Sequence, residues 1–364
     1  MAGIMSDRIP HYELHGLEAS SLANSLGWEI PERFSTFLEE YHALRDSVGV
    51  LDVPNAAILE ARGRDRVRFL QGMLTNDVKS LQPGRGCYTA LLTHQGRIVA
   101  DLQVYCTEES LLLVANPSLR QKLLPSLKKY IIADQVQLSD RSGDLGILSL
   151  QGPGAAGLLA QIGSIEPPNQ QYDHLEVSMF GSPVRLCRHS RTQQGGYDLI
   201  LPSEKRSELR TTILTAGGGG AAWPLGWEAY NTNRVEAGIP LYGLDMDETH
   251  LPLEAGLQPA ISFTKGCYMG QEIVARATYR GQINWQLSGL LLPDLIPVTG
   301  GTKILKDGKE IGRITSSVYS PALSRGIALG YLRREFTEPG ANLSVDRGGE
   351  EITCVVASLP FVRV

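Results

Sequence analysis

Apolar residues Phe34, Phe37, Leu38, Tyr41 and Leu44 recur at spacings of three and four through PERFSTFLEEYHALRDSVGV, residues 31–50. That is the stripe of an amphipathic helix, with Gly49 to end it. From Ile58 the pattern changes to short β-prone runs, ILEARG, CYTALLT, RIVADLQVYC and SLLLVAN, separated by Gln82-Pro83-Gly84 and His94-Gln95-Gly96. DRVRFLQGMLTNDV, residues 65–78, and the stretch 119–132 read as helices between them. Strands interleaved with helices on an antiparallel sheet describe an α+β layer.

A second, similar block starts at about Leu145 with ILSLQG and a small-residue helix after Pro153. Strands near 184–188 and 197–201 follow, and AGGGGAA, residues 216–222, makes a flexible connection. After Gly281 six short strands are expected, near 287–292, 303–305, 310–315, 326–332, 342–345 and 352–357. Asp307-Gly308 between two of them is a strong hairpin signal. The expected fold class is therefore α+β: two comparable antiparallel α+β units, then a small all-β sandwich or barrel.

The 364 residues are 42% hydrophobic and 20% charged, an ordinary globular balance, and at roughly 150 residues per domain they suggest two or three domains. A net charge of -5 supplies no global positive field, so direct nucleic-acid binding and a membrane partner are not expected. No apolar run approaches the ~18 residues that cross a bilayer, and the first ten residues do not read as a secretory signal. Five scattered cysteines without Cys-x-x-Cys spacing fit a reducing cytoplasm.

The densest segment is KGCYMGQEIVAR, residues 265–276. Two glycines bracket Cys267, Tyr268 and Met269 ahead of a helical stretch, so Cys267 is expected on a tight turn that exposes its thiol. Lys265 and the positive end of that helix would then stabilise a thiolate; the other reading makes Cys267 a small buried filler. Cys87, Cys106, Cys187 and Cys354 lie in or beside strand-like runs and read as core. An iron-sulfur cluster usually takes about four ligands, so the chain alone is not expected to hold one.

Arg234, Glu236 and Glu254 either orient an anionic or pteridine-like ligand or form a salt-bridge network. Asp101, among Ile98, Val99, Leu102 and Val104, either lines a pocket or turns to solvent by alternation. His11 and His15 have i, i+4 spacing but no third ligand. Phosphate-loop, dinucleotide, zinc and nucleophile-elbow motifs are not found.

KGCYMGQEIVAR resembles the signature of the YgfZ family of folate-binding, iron-sulfur-associated proteins, relatives of the glycine cleavage T protein (aminomethyltransferase). FLQGMLTNDVKSLQPGRGCYTALLTHQGRIVADLQVY, LSLQGPGA, NRVEAGIPLYGLD, PLEAGL and GRITSSVYSPALSRGIALGYL fit in the expected order, so the likeness covers the chain from about Phe34. It implies two ferredoxin-like α+β units and a C-terminal β-barrel around a channel for tetrahydrofolate. The folate-binding part would be 31–280, with subdomains of about 31–144 and 145–230 and 231–280 closing the site; 281–364 would be the barrel. Tyr88 and Asp101 match the aromatic and carboxylate of the pterin site, and Arg234 matches a folate-contacting arginine. Asp198 stands in for a pocket Glu, one methylene shorter, and Arg191 aligns with an aromatic. Where aminomethyltransferases carry a pair of Asp residues, the first is Ala100 here, which should weaken acid-base work.

The reading this favours is a cytoplasmic tetrahydrofolate-binding accessory protein that supports assembly or repair of iron-sulfur enzymes, including tRNA-modifying ones. Cys267, activated by Lys265, is its functional thiol, and its partners are iron-sulfur enzymes or assembly factors met transiently. The competing readings are a true tetrahydrofolate-dependent aminomethyltransferase or demethylase acting on a small amine, and a purely structural protein.

Overall fold

A computed structural model describes residues 21–26, 28–53, 55–216, 221–279 and 283–363. The His11/His15 spacing, the first ten residues and the glycine run 217–220 lie outside the described residues. In chain order come β1 (Ser21–Ser25), β2 (Trp28–Arg33), α1 (Phe37–Asp46), β3 (Gly49–Val53), β4 (Ala57–Arg62) and α2 (Arg66–Met73). Next are β5 (Gly86–Leu92), β6 (Ile98–Cys106), β7 (Leu111–Ala115), α3 (Arg120–Lys128), β8 (Gln137–Asp140), β9 (Leu145–Gln151) and α4 (Ala155–Gly163). Then follow β10 (His174–Met179), β11 (Ser182–Arg188), β12 (Gly196–Pro202), α5 (Arg206–Ala216), β13 (Trp223–Leu225), α6 (Trp227–Glu236) and α7 (Gln271–Tyr279). The chain ends in β14 (Trp285–Leu291), β15 (Lys303–Lys306), β16 (Lys309–Ser320), β17 (Arg325–Arg333), β18 (Asn342–Arg347) and β19 (Glu350–Ala357). Among the described residues no helix is long and apolar enough to cross a membrane.

Contacts divide the chain into two units. One takes in Met1–Ala56, Ser142–Gln170 and His174–Asn231. Its six-stranded sheet runs β10-β11-β12-β9-β3-β13, antiparallel except for the β3/β13 pair. Val50, Leu148, Leu150, Tyr197 and Leu199 of the sheet pack against Leu158 and Leu159 of α4 and Leu209 and Ile213 of α5. Helix α1 starts where the Thr36 and Glu39 side chains bond each other's backbone N–H groups, a capping box. Tyr41 and Leu44 bury as the stripe requires, but Leu38 is 51% exposed and Phe34 precedes the helix. The reason is Glu40, fully buried because its carboxylate accepts from the backbone N–H groups of Phe34, Ser35 and Gly226. Gly49 does not end the helix; Ser47 caps it and Gly49 opens β3.

The other unit takes in Ala57–Arg141, Gln171–Asp173 and Thr232–Val364. It holds an antiparallel five-stranded sheet, β5-β6-β7-β4-β8, and a barrel closed in the order β14-β17-β16-β15-β18-β19. Phe69, Leu70 and Met73 of α2 and Leu123 and Leu127 of α3 pack with Leu59, Leu92, Val104 and Leu113 of the sheet. All six expected C-terminal strands form, and Leu290, Ile304, Ile314, Leu332, Val345 and Val356 fill the barrel. Asp307 and Gly308 turn β15 into β16 at φ 50° and 73°, the left-handed pair that a tight hairpin requires.

Candidate functional site

Strand β6 decides where Asp101 points. Ala100, Leu102 and Val104 are fully buried while Asp101 and Gln103 are half-buried, so alternation turns the carboxylate away from the helix-covered core. On the neighbouring strand Tyr88 lies opposite Gln103, diagonal to Asp101, and its phenol donates to the Asp101 carboxylate at 2.8 Å. Burial, then the Asp101 charge, pushes the phenol well above its ordinary pKa, so it stays a donor. The Tyr172 ring stacks on Tyr88 with centroids 6.2 Å apart and planes 19° from parallel. A Cβ on Gly86 would come within 2.6 Å of the Tyr172 carbonyl, so only glycine lets that loop approach the strand. The result is a carboxylate held beside two stacked phenol rings.

The turn 265–270 belongs to the same unit. Cys267 is exposed, whereas Cys106, Cys187 and Cys354 are buried and Cys87 is half-buried. Helix α7 begins only at Gln271, so Tyr268, Met269 and Gly270 separate Cys267 from its first turn. Lys265 turns inward: its ammonium donates to the carbonyls of Gln71 at 2.7 Å, Leu74 at 2.7 Å and Asn76 at 2.8 Å. Those bonds take all three of its protons and commit the ammonium to the carbonyls at the end of α2 and of Asn76. Burial pushes the ammonium down to about 8, against the pull of the Asp77 carboxylate. It remains protonated at neutral pH.

Arg234 is fully buried, and so is the Asp245 carboxylate that it pairs with. Its guanidinium also donates to the Ile239 carbonyl at 3.1 Å and the Ser316 hydroxyl at 2.7 Å. Asp245 accepts further from Ser316, Thr315 and the Leu241 N–H. Glu236 accepts from Ser320, and Glu254 accepts from the Leu251 N–H with Arg97 3.8 Å away. These bonds form a polar network that ties Arg234 to the 239–245 segment and to β16 of the barrel.

In the other unit Asp198 is 1% exposed. One carboxylate oxygen accepts from Ser149 at 2.6 Å and Arg191 Nε at 3.0 Å; the second takes Arg191 Nη2 at 2.6 Å and lies 2.9 Å from His189 Nδ1. Burial pushes the carboxyl up, but Arg191 and His189 outweigh it and hold it well below the usual range. Burial, against the pull of Asp198, lowers His189, so the imidazole is neutral near pH 7. A carboxylate bonded in this way is already satisfied by protein groups. Arg191 is thus its ion partner, at the position where the resemblance aligns an aromatic.

Sequence reasoning missed Tyr172, Asp245 and His189. Tyr172 follows a Pro-rich loop without periodicity, and Asp245 is brought to Arg234 by tertiary folding alone; neither leaves a local signal.

An α+β protein with a C-terminal barrel and a half-buried, aromatic-flanked carboxylate on a sheet strand is the class these features define. Residues 11–265 match the GCVT N-terminal domain, and residues 286–363 match the glycine cleavage T-protein C-terminal barrel domain. The chain belongs to the glycine cleavage T-protein family. It is 33% identical to an aminomethyltransferase of Desulfitobacterium hafniense (strain DSM 10664 / DCB-2), over 98% of both chains, and 32% identical to one of Geobacillus kaustophilus (strain HTA426), over 99% of both. The crystal structure of the glycine cleavage system aminomethyltransferase T from Bartonella henselae superposes with a TM-score of 0.86 at 25% identity, covering 94% of each chain.

Proposed function

We propose that this protein binds tetrahydrofolate on the Asp101 face of the five-stranded sheet and works as an aminomethyltransferase-type protein, the folate receiving a one-carbon unit from a small amine. The observation that carries the reading is the Tyr88–Asp101 hydrogen bond beside the Tyr172 ring. A reduced pterin offers N–H donors for a carboxylate and a flat face for aromatic rings, so the residues fit the group. Asp101 would hold the folate amine, and folate would supply the nitrogen that carries the carbon. Ala100 does not weigh against this, because its side chain points into the core on the opposite face from Asp101. Calorimetric titration with tetrahydrofolate, and ammonia release from an aminomethyl donor, test it in wild type and Asp101→Asn. Binding and release that both fall in the variant support the reading, and a wild type that binds no folate overturns it.

A second reading keeps the folate site but assigns the protein to iron-sulfur assembly or repair in the cytoplasm, with tRNA-modifying enzymes among its clients. One observation favours it: Cys267, in the turn that resembles the YgfZ signature, is the exposed cysteine of the five. Complementation of a strain lacking its YgfZ-type protein decides between the two. If wild type restores an iron-sulfur tRNA-modifying activity and Cys267→Ser does not, the accessory reading gains; equal restoration by both removes the thiol from the function.

A further inference from the structure

We infer that Lys265 is a positioning residue for the Asp101 site and not the activator of Cys267; the inference rests on the folate reading above and deepens it. An ammonium has three N–H donors and no acceptor, and here three carbonyls, of Gln71, Leu74 and Asn76, receive them at 2.7–2.8 Å. Gln71 and Leu74 lie at the C-terminal end of α2, where helix carbonyls lack intrahelical partners and the dipole is negative. A cation suits that end, and the 265–270 turn delivers one.

The third carbonyl connects the lysine to the site. Asn76 donates from its side-chain amide to the Tyr88 carbonyl at 2.8 Å and from its backbone N–H to the Thr89 hydroxyl at 2.9 Å. The exit of α2 and the Tyr88 segment of β5 are therefore one hydrogen-bonded piece, which Lys265 fastens through the Asn76 carbonyl. Tyr88 in turn aims its phenol at Asp101. The path from lysine ammonium to carboxylate runs Lys265, Asn76, Tyr88, Asp101, each step a hydrogen bond or the covalent frame of the residue itself.

The full chain is titrated with 5-formyltetrahydrofolate as wild type, Lys265→Met, Asn76→Ala and Tyr88→Phe, and as the Lys265→Met/Tyr88→Phe and Asn76→Ala/Tyr88→Phe doubles. Alkylation of Cys267 by iodoacetamide is followed in parallel by mass spectrometry. Lys265→Met and Asn76→Ala are each expected to weaken binding about tenfold, the scale of one lost oriented hydrogen bond. With Tyr88→Phe already present neither should weaken it further, since the position they protect is gone, and Cys267 should alkylate at the wild-type rate in both. Additive losses would mean general loosening and overturn the relay. So would slower alkylation with unchanged folate affinity, which would give the lysine back to the thiol. If Lys265→Met fails to fold, Asn76→Ala decides alone, because its backbone carbonyl keeps the lysine cradle: a folded Asn76→Ala with wild-type affinity overturns the inference. A wild type that binds no 5-formyltetrahydrofolate instead removes the folate reading on which it rests.

Discussion

Replacing Asp245 by alanine tests whether Arg234 is a clamp or a ligand contact. Both groups are fully buried, and the carboxylate accepts from Arg234, Ser316, Thr315 and the Leu241 N–H. Its loss strands a desolvated guanidinium and several neutral donors; removing one partner of a buried ion pair costs about 3–5 kcal/mol. For a unit of this size 1 kcal/mol moves the midpoint by about 2–4 °C, so thermal unfolding should shift down by about 6–20 °C. Hydrogen exchange localises the effect: amides of β16, which carries Thr315 and Ser316, should lose protection before those of the six-stranded sheet. The Arg234→Met/Asp245→Leu double variant removes both charges and should recover most of the loss, because a buried pair replaced by apolar groups is often close to neutral. A midpoint within about 3 °C of wild type in Asp245→Ala would refute the argument, since it falls below the smallest shift that a stranded buried charge permits. So would an Arg234→Met that keeps its midpoint but loses folate affinity, which would return the arginine to the ligand.

Asp198 and His189 set an acid limit on stability. Asp198 titrates lower in the folded state than in the unfolded chain, so its contribution is complete above the unfolded value near 3.9 and is lost as pH falls below it. His189 is also lowered, so the unfolded chain takes up its proton first and stability declines below about pH 6.5. Urea midpoints followed from pH 7 to 3 should fall throughout, and Asp198→Asn should be less stable at pH 7 yet flatter below about pH 4; a slope there as steep as wild type would contradict this. Gly270 has φ 81° and a Cβ would lie 2.7 Å from the Thr93 carbonyl. Gly270→Ala should therefore cost about 1–3 kcal/mol and speed alkylation of Cys267 as the turn lifts, and an unchanged melting temperature would count against that packing.

Local patterns were legible where the physics is local. The barrel strands follow from alternation and turn residues, and Asp307-Gly308 is read from two positions alone. Helix α1 was legible in position but not in its buried face, because a hydrophobic stripe cannot anticipate a glutamate drawn inward by three backbone N–H donors. That β3 pairs with β9 was hidden too, since the residues it joins are far apart in sequence. Asp101 was ambiguous because apolar residues flank it on both sides; only the burial of Ala100, Leu102 and Val104 fixes its face. The charges of Arg234 and Lys265 are legible in the sequence, but their partners, Asp245 and the end of α2, are set by tertiary structure.

The 265–270 turn divides its labour by residue. Lys265 faces inward to α2, Tyr268 is buried, the Met269 N–H donates to the Gly72 carbonyl, and Gly270 fits beneath the Thr93–Gly96 hairpin. Each of these residues has a packing or hydrogen-bonding reason to be what it is. Cys267 has a side chain turned to solvent, and an exposed thiol adds little to folding that a serine would not. Holding the site in shape therefore explains the lysine, the tyrosine and the second glycine while leaving the cysteine unaccounted for. Cys267→Ser, expected to fold as wild type does, therefore separates the transferase reading from the accessory one: an iron-sulfur tRNA-modifying activity lost in a natively folded variant would give the thiol a chemical role.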